Sequence, residues 1–115
     1  MEGKCVFCNI VAGKIPATIL YQDEKIIALR DIKPQAPIHL LVIPKEHIPS
    51  LAELGDDQRE LAADLIYVAN ELAKREGVFE TGYRLVVNCR REGGQEIHHL
   101  HLHLLGGRQL SGTMG

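Results

Sequence analysis

Six consecutive residues near the C-terminal end, His99-Leu100-His101-Leu102-His103-Leu104, alternate strictly between imidazole and leucine. A period of two belongs to a strand, whose successive side chains point to opposite faces. The run predicts a strand over residues 98–105. His99, His101 and His103 share one face; Leu100, Leu102 and Leu104 share the other and need an apolar cover. The imidazole face is harder to account for. Same-face neighbours sit ~7 Å apart along a strand, and strand surfaces without a function favour Thr, Tyr and charged residues.

The cover for the leucines is present. Leu61, Leu65, Val68, Ala69 and Leu72 recur at helical spacing, which predicts one amphipathic helix of about five turns. Asp57 and Glu60 have capping-box spacing at its start, and Gly77 is its natural stop. Ser50 and Glu53 have the same spacing and suggest one further helical turn. Before them, Ile19–Tyr21 and Lys25–Arg30 read as a hairpin around Gln22-Asp23-Glu24, and His39–Ile43 as a third strand. Tyr83–Asn88 reads as a fourth. Val6–Ala12 fits a short helix stopped by Gly13 and Pro16. The chain has 115 residues, no Trp, and only 3 Tyr and 2 Phe. That is one aliphatic core and one domain over residues 1–115. The predicted class is α+β: a five-stranded, mainly antiparallel sheet with one long helix and a short N-terminal helix.

Charge narrows the function. The net charge is -2, and the densest basic spot, Arg90-Arg91, is followed at once by Glu92. A nucleic-acid binder needs a basic stripe to neutralise phosphates, so no nucleic-acid partner is expected. No apolar run approaches the ~18 residues of a membrane span, so no membrane partner is expected either. The first ten residues lack the apolar stretch of a signal peptide. Three cysteines, an odd number, do not suit a secreted disulfide framework. The expected location is the cytoplasm.

Three readings of the histidine face remain open at this point. It can be a polar sheet surface rich in histidine. It can hold a metal, since histidines at i and i+2 share ions on strands. Or it can carry nucleophilic catalysis, because neutral imidazole attacks phosphorus well near pH 7. Gly93-Gly94 ahead of the run suits a bend whose N–H groups face an anion. A separate pair, Cys5-Val6-Phe7-Cys8, has metal-ligand spacing but supplies only two of four ligands.

The residues His99-Leu100-His101-Leu102-His103-Leu104-Leu105 resemble the signature of the histidine triad (HIT) superfamily. Gly93-Gly94-Gln95, Leu105-Gly106-Gly107-Arg108-Gln109, Ile15-Pro16-Ala17, residues 31–37 and His39-Leu40-Leu41-Val42-Ile43-Pro44-Lys45 look like its HINT branch, the nucleoside phosphoramidases. The resemblance spans nearly the whole chain. It implies a HIT-like fold and an enzyme that cleaves the P–N bond of purine nucleoside 5′-phosphoramidates through a nucleotidyl-histidine. His101 then stands at the nucleophile, His103 at the phosphate oxygens, His39 behind the nucleophile, and His99 at a supporting or metal-holding position. Asp31 corresponds to the carboxylate on the ribose hydroxyls, Ile32, Phe7 and Ile10 to the base pocket, and Asn88, Gly94, Gln95 and Glu96 to the phosphate side. Bacterial members similar to this chain hold a structural zinc with two Cys and two His, which implies Cys5, Cys8, His47 and His99 as ligands here. His98 falls on the leucine side, and Cys89 reads as a strand-end residue. No organic cofactor is implied; a purine nucleoside monophosphate or phosphoramidate partner and a homodimer are.

Two features depart from the family pattern. Glu96 stands where some members have a small hydroxyl residue, and the tail after Gln109 lacks the tryptophan some relatives carry. Two other functions share the pocket: a non-catalytic nucleotide-binding regulatory module, and a dinucleoside polyphosphate hydrolase. The latter branch usually has Gln at the position of His103.

Overall fold

The computed structural model describes residues 2–114. Five strands form one sheet in the order β1-β2-β3-β5-β4, and every neighbouring pair is antiparallel. They are β1 (Ile19–Gln22), β2 (Ile26–Arg30), β3 (Ile38–Pro44), β4 (Tyr83–Val86) and β5 (Leu102–Gly106). Two α-helices accompany them, α1 (Val6–Val11) and α2 (Arg59–Arg75), together with short 3-10 turns at Glu2–Lys4, Leu51–Glu53 and Asp56–Gln58.

The sheet is covered on both faces. From α2, Leu65, Val68, Ala69, Leu72 and Ala73 are buried, a stripe at i, i+3, i+4, i+7 and i+8 that matches the helical period. It packs on Ile26, Ala28, Leu40, Val42, Leu100, Leu102 and Leu104. The opposite face is smaller: Phe7 of α1 packs with Ile27, Leu29, Leu41 and Ile43, and Ile10 lies against this second cluster. β2 and β3 therefore read as continuous apolar runs because both of their faces are buried. Among the described residues, no helix is long and apolar enough to cross a membrane.

Helix α2 begins differently from the capping box expected at Asp57–Glu60. Its lead-in is the 3-10 turn, and the reach-back contact is made by Gln58, whose Oε1 accepts the Gly55 N–H at 2.8 Å. The end agrees: Gly77 has φ +78 just past the C-cap Glu76, a conformation glycine adopts without a Cβ penalty.

The ladder of β5 is shorter than the predicted strand. It starts at Leu102, and residues 98–101 lie outside it. Leu102 pairs with Val42, so Leu100 would face Pro44 in the same register. Proline has no N–H to give a ladder. The Leu100 N–H turns instead to the Ile48 carbonyl at 2.7 Å. The alternation of faces survives: Leu100, Leu102 and Leu104 all join the α2 side. β4 likewise ends at Val86, so Asn88 and Cys89 sit in the following loop and not at the strand end.

Candidate active site and metal-ligating cluster

A cleft of ≈ 530 Å³ opens on the face opposite α2, lined by Phe7, Asp31, Ile32, Lys33, Gln35, His39, Leu41, Asn88, Gly94, Glu96, Ile97, His101 and His103. Register explains the centre of it. His103 pairs with Leu41 across β3–β5 and with Val86 across β4–β5, and His39 lies two residues from Leu41 on the same side.

Hydrogen bonds assign the tautomers. A carbonyl oxygen only accepts. His101 Nδ1 lies 2.7 Å from the His99 carbonyl, so Nδ1 carries the proton and Nε2 keeps its lone pair. His39 Nδ1 accepts the Gln35 N–H at 3.0 Å, so its proton is on Nε2. That Nε2–H donates to His103 Nδ1 at 2.9 Å and has Asp31 Oδ2 at 3.4 Å. His103 is thereby left with its N–H at Nε2. Burial, followed by the facing His101 and His39, pushes His103 down to about 4, with Asp31 opposing. Burial likewise lowers His39 against the pull of Asp31. Both rings are uncharged near neutrality. Asp31, His39 and His103 are also close enough to share a metal ion, but His39 Nε2 already carries a proton. His39 and His103 form a hydrogen-bonded relay with the Asp31 carboxylate beside it.

Asp31 has two duties. Its Oδ1 accepts the Lys33 N–H at 2.8 Å in an Asx-turn, and its carboxylate lines the cleft beside Ile32, which is 90% exposed. Phe7 reaches the cleft while 3% exposed, its ring 5.2 Å from that of His101. Asn88 and Glu96 also line it. Gly94 has φ +79, and a Cβ on Gly93 would lie 2.4 Å from the Cys89 carbonyl oxygen. The bend therefore requires both glycines.

Two expected residues stand elsewhere. Ile10 is not on the cleft wall; it packs in the second apolar cluster. Gln95 is buried, and its side chain is spent on the loop: Oε1 accepts the Arg90 N–H at 2.8 Å, and Nε2 donates to the Pro49 and Ile97 carbonyls at 2.7 and 3.0 Å. It braces Arg90, which has φ 62. Lys33, Gln35, Leu41 and Ile97 were not anticipated. Leu41 alone had a readable signal, its alternation with His39.

His99 faces away from this chemistry. It is 0% exposed, its Nε2–H donates to the Pro44 carbonyl at 2.8 Å, and Nδ1 lies 3.2 Å from Cys5 Sγ and 3.6 Å from Cys8 Sγ. His47 Nδ1 is 3.1 Å from Cys8 Sγ. The four ligand atoms all lie within 4.8 Å of one another. Tetrahedral zinc with bonds of about 2.3 Å to sulfur and about 2.0–2.1 Å to nitrogen sets its ligand atoms roughly 3.3–3.8 Å apart. The donor set fits: two thiols, and two imidazoles, one with its remote N–H already held by a carbonyl as ligating histidines require. His98 is exposed and outside the set.

A five-stranded antiparallel sheet with an imidazole relay at its centre and one long helix behind it is the fold of the HIT proteins. The family model described as the HIT domain matches residues 12–110, and the chain belongs to that family. It is similar to the crystal structure of a HIT family hydrolase from Legionella pneumophila Philadelphia 1, with a TM-score of 0.95 and 53% identity over 97% of this chain and 100% of that one. It is 44% identical over 110 residues to the purine nucleoside phosphoramidase of Escherichia coli K12, covering 96% of this chain and 92% of that protein. It is 46% identical over 116 residues to a 14 kDa zinc-binding protein of Zea mays, covering 99% and 90%.

Proposed function

We propose that this chain hydrolyses the P–N bond of purine nucleoside 5′-phosphoramidates, with His101 as the nucleophile. The observation that carries the reading is the bond from His101 Nδ1–H to the His99 carbonyl. It leaves Nε2 with a lone pair on a side chain of the cleft wall. Nε2 forms a bond to the α-phosphorus, and the P–N bond to the amine breaks. The amine leaves with a proton drawn from water. A water molecule then attacks phosphorus, giving its proton to the hydroxide left by the first step; the bond to Nε2 breaks, and the nucleoside monophosphate departs with the His101 lone pair restored. The Escherichia coli relative named a phosphoramidase supports the substrate class.

The other residues take supporting parts. His103 presents an N–H at Nε2 to the phosphoryl oxygens as a neutral donor. Its Nδ1 takes the His39 N–H, and burial keeps the ring uncharged at neutral pH. Asp31 offers a carboxylate to the ribose diol. Phe7 and Ile32 supply apolar surface to the base, and Asn88 and the Gly94 bend flank the phosphate. Zinc on Cys5, Cys8, His47 and His99 pins α1 to the segment before β5; the zinc-binding maize relative supports this. The chain pairs as a homodimer. In support, β4 is a free sheet edge, and the Tyr83 hydroxyl bonds Asn70 of α2 beside it. One turn before Asn70 on that flank, Ile66 and Tyr67 are exposed.

Turnover of adenosine 5′-phosphoramidate should exceed that of diadenosine tetraphosphate, and His101→Ala should abolish it while AMP binding stays measurable. Turnover retained in that variant overturns the assignment. A preference for the dinucleotide indicates the polyphosphate hydrolase, and binding of AMP without turnover of either indicates a regulatory module. Elemental analysis should find one zinc per chain; protein purified without chelator and free of zinc overturns the metal reading.

A further inference from the structure

The proposed nucleophile is not held by the sheet. β5 begins at Leu102, one residue after His101. What fixes His101 is the main-chain carbonyl of His99, which takes its Nδ1–H at 2.7 Å. His99 in turn is held by its own imidazole, between the Pro44 carbonyl on one nitrogen and the Cys5 and Cys8 sulfurs on the other. The same sulfurs bracket Phe7 in sequence, and its ring meets both histidines, with centroids 5.7 Å from His99 and 5.2 Å from His101. Two arms thus run from the cysteine-histidine cluster to the cleft. One ends on the tautomer and aim of the nucleophile; the other ends on an apolar wall.

The cluster is also reachable. A second cavity of ≈ 370 Å³ is lined by Lys4, Cys5, Val6, His47, Glu96, Ile97 and His98. Cys5, Cys8 and His47 are only partly buried. An ion there exchanges with solvent more readily than one sealed in a core.

From this geometry we infer that metal occupancy of the Cys5-Cys8-His47-His99 cluster sets the competence of the active site, with His99 and Phe7 as positioning residues that act through His101 and the nucleotide pocket. The inference rests on the zinc and phosphoramidase readings above and adds a connection between them. A divalent ion holds His99, and the His99 carbonyl holds His101 with Nε2 unprotonated. Without the ion, residues 98–101 keep the bonds from Leu100 N–H to Ile48 and from His99 Nε2–H to Pro44 but lose the ligand bond at His99 Nδ1, and His101 samples both tautomers.

The test compares zinc-loaded protein, protein stripped with a chelator, and stripped protein given zinc chloride again. His47→Ala and His47→Cys are added because His47 is not among the residues that line the cleft. All assays run at a temperature at which far-UV circular dichroism shows every sample folded. Cobalt substitution, read by visible absorption, first establishes whether the cluster binds a tetrahedral ion. Without that absorption the metal reading fails, and this inference with it, before any rate is measured. Given binding, stripping should lower kcat on adenosine 5′-phosphoramidate about 10–100-fold, the range for supporting groups around a site. It should also weaken AMP binding several-fold, with both restored by zinc. His47→Cys, which keeps four ligands, should stay near wild type, and His47→Ala should behave as the stripped protein. Long-range 15N–1H spectra should show His101 as the single Nδ1–H tautomer with metal and a mixture without it. Unchanged kcat, AMP affinity and tautomer in folded, metal-free protein overturn the inference. So does a metal-free chain that folds at no temperature, since the ion then acts on the whole fold. Loss of turnover in every protein, loaded or not, overturns the phosphoramidase reading instead.

Discussion

His39 Nε2–H donates to His103 Nδ1 at 2.9 Å while the His39 Nδ1 accepts the main-chain N–H of Gln35. A loop amide thus decides, through one ring, which nitrogen of the next ring carries its proton. His39→Ala removes the middle of this relay and leaves His103 free to adopt either tautomer. The expected result is a fall in kcat/KM of about 10–100-fold, the usual cost of losing an orienting partner. Most of it should appear in kcat, since His39 sits behind His103. Steady-state kinetics on adenosine 5′-phosphoramidate read the split; kcat/KM within twofold of wild type rules the relay out.

The relay also makes stability depend on pH. His103 titrates at about 4 in the fold, through burial and the facing His101 and His39 with Asp31 opposing, against ~6.5 in an unfolded chain. Between these values the unfolded state binds a proton that the folded state refuses. Stability is therefore full above about pH 6.5 and declines as pH falls toward 4. His39 is shifted in the same direction. With the partial exposure of His103 discounted, the loss is on the order of 2 kcal/mol. Guanidinium unfolding at steps from pH 7.5 to 4.5 measures it. His103→Asn in the same metal state should show a clearly shallower decline, and equal slopes for the two proteins contradict the assignment.

Gln95 makes a sharper test of the loop. Its amide accepts from the strained Arg90 backbone and donates to two carbonyls, those of Pro49 and Ile97. Gln95→Ala removes three part-buried hydrogen bonds and should cost about 3 kcal/mol, roughly 1 kcal/mol for each. Gln95→Glu keeps the acceptor for Arg90 but turns a carboxylate oxygen onto the two carbonyls, so it should destabilise at least as much as Ala. Denaturation midpoints rank the three proteins. Both variants should also raise KM, because this side chain ties together the loop whose Gly94, Glu96 and Ile97 line the cleft. Gln95→Glu as stable as wild type contradicts the hydrogen-bond pattern.

What was legible in the sequence followed periodicity. The stripe of α2 and the two faces of the histidine run need only local spacing, and both are present. The start of β5 was not legible, because it depends on Pro44 lying opposite Leu100 in a register no local pattern states. The same holds for Gln95, whose partners come from Pro49, Arg90 and Ile97. A polar residue beside a glycine pair reads as a phosphate contact until its amide is seen to be occupied. His99 shows the reverse. The resemblance put it with Cys5, Cys8 and His47, and the ligand atoms of the four lie within 4.8 Å of one another. Its second role, as the carbonyl that orients His101, belongs to the main chain and leaves no trace in residue type.

The outer flank of α2 carries the last prediction. Tyr67 is 65% exposed and Ile66 53%, one turn from Asn70, which the Tyr83 hydroxyl ties to the start of β4. β4 is an edge strand of the sheet, and exposed strand edges beside apolar residues are surfaces that pairing with a second copy covers. Both side chains are exposed and neither belongs to the buried stripe of α2, so Ile66→Asp with Tyr67→Asp should leave the fold intact while placing two like charges opposite their counterparts across a two-fold axis. Losing two apolar anchors and adding repulsion should raise the dimer dissociation constant by at least about two orders of magnitude. Sedimentation velocity at micromolar concentration should find wild type at twice the chain mass and the double variant at the 12.8 kDa of one chain. A variant that sediments as wild type places the interface elsewhere, and a wild type that is itself a single chain removes the dimer from the proposal.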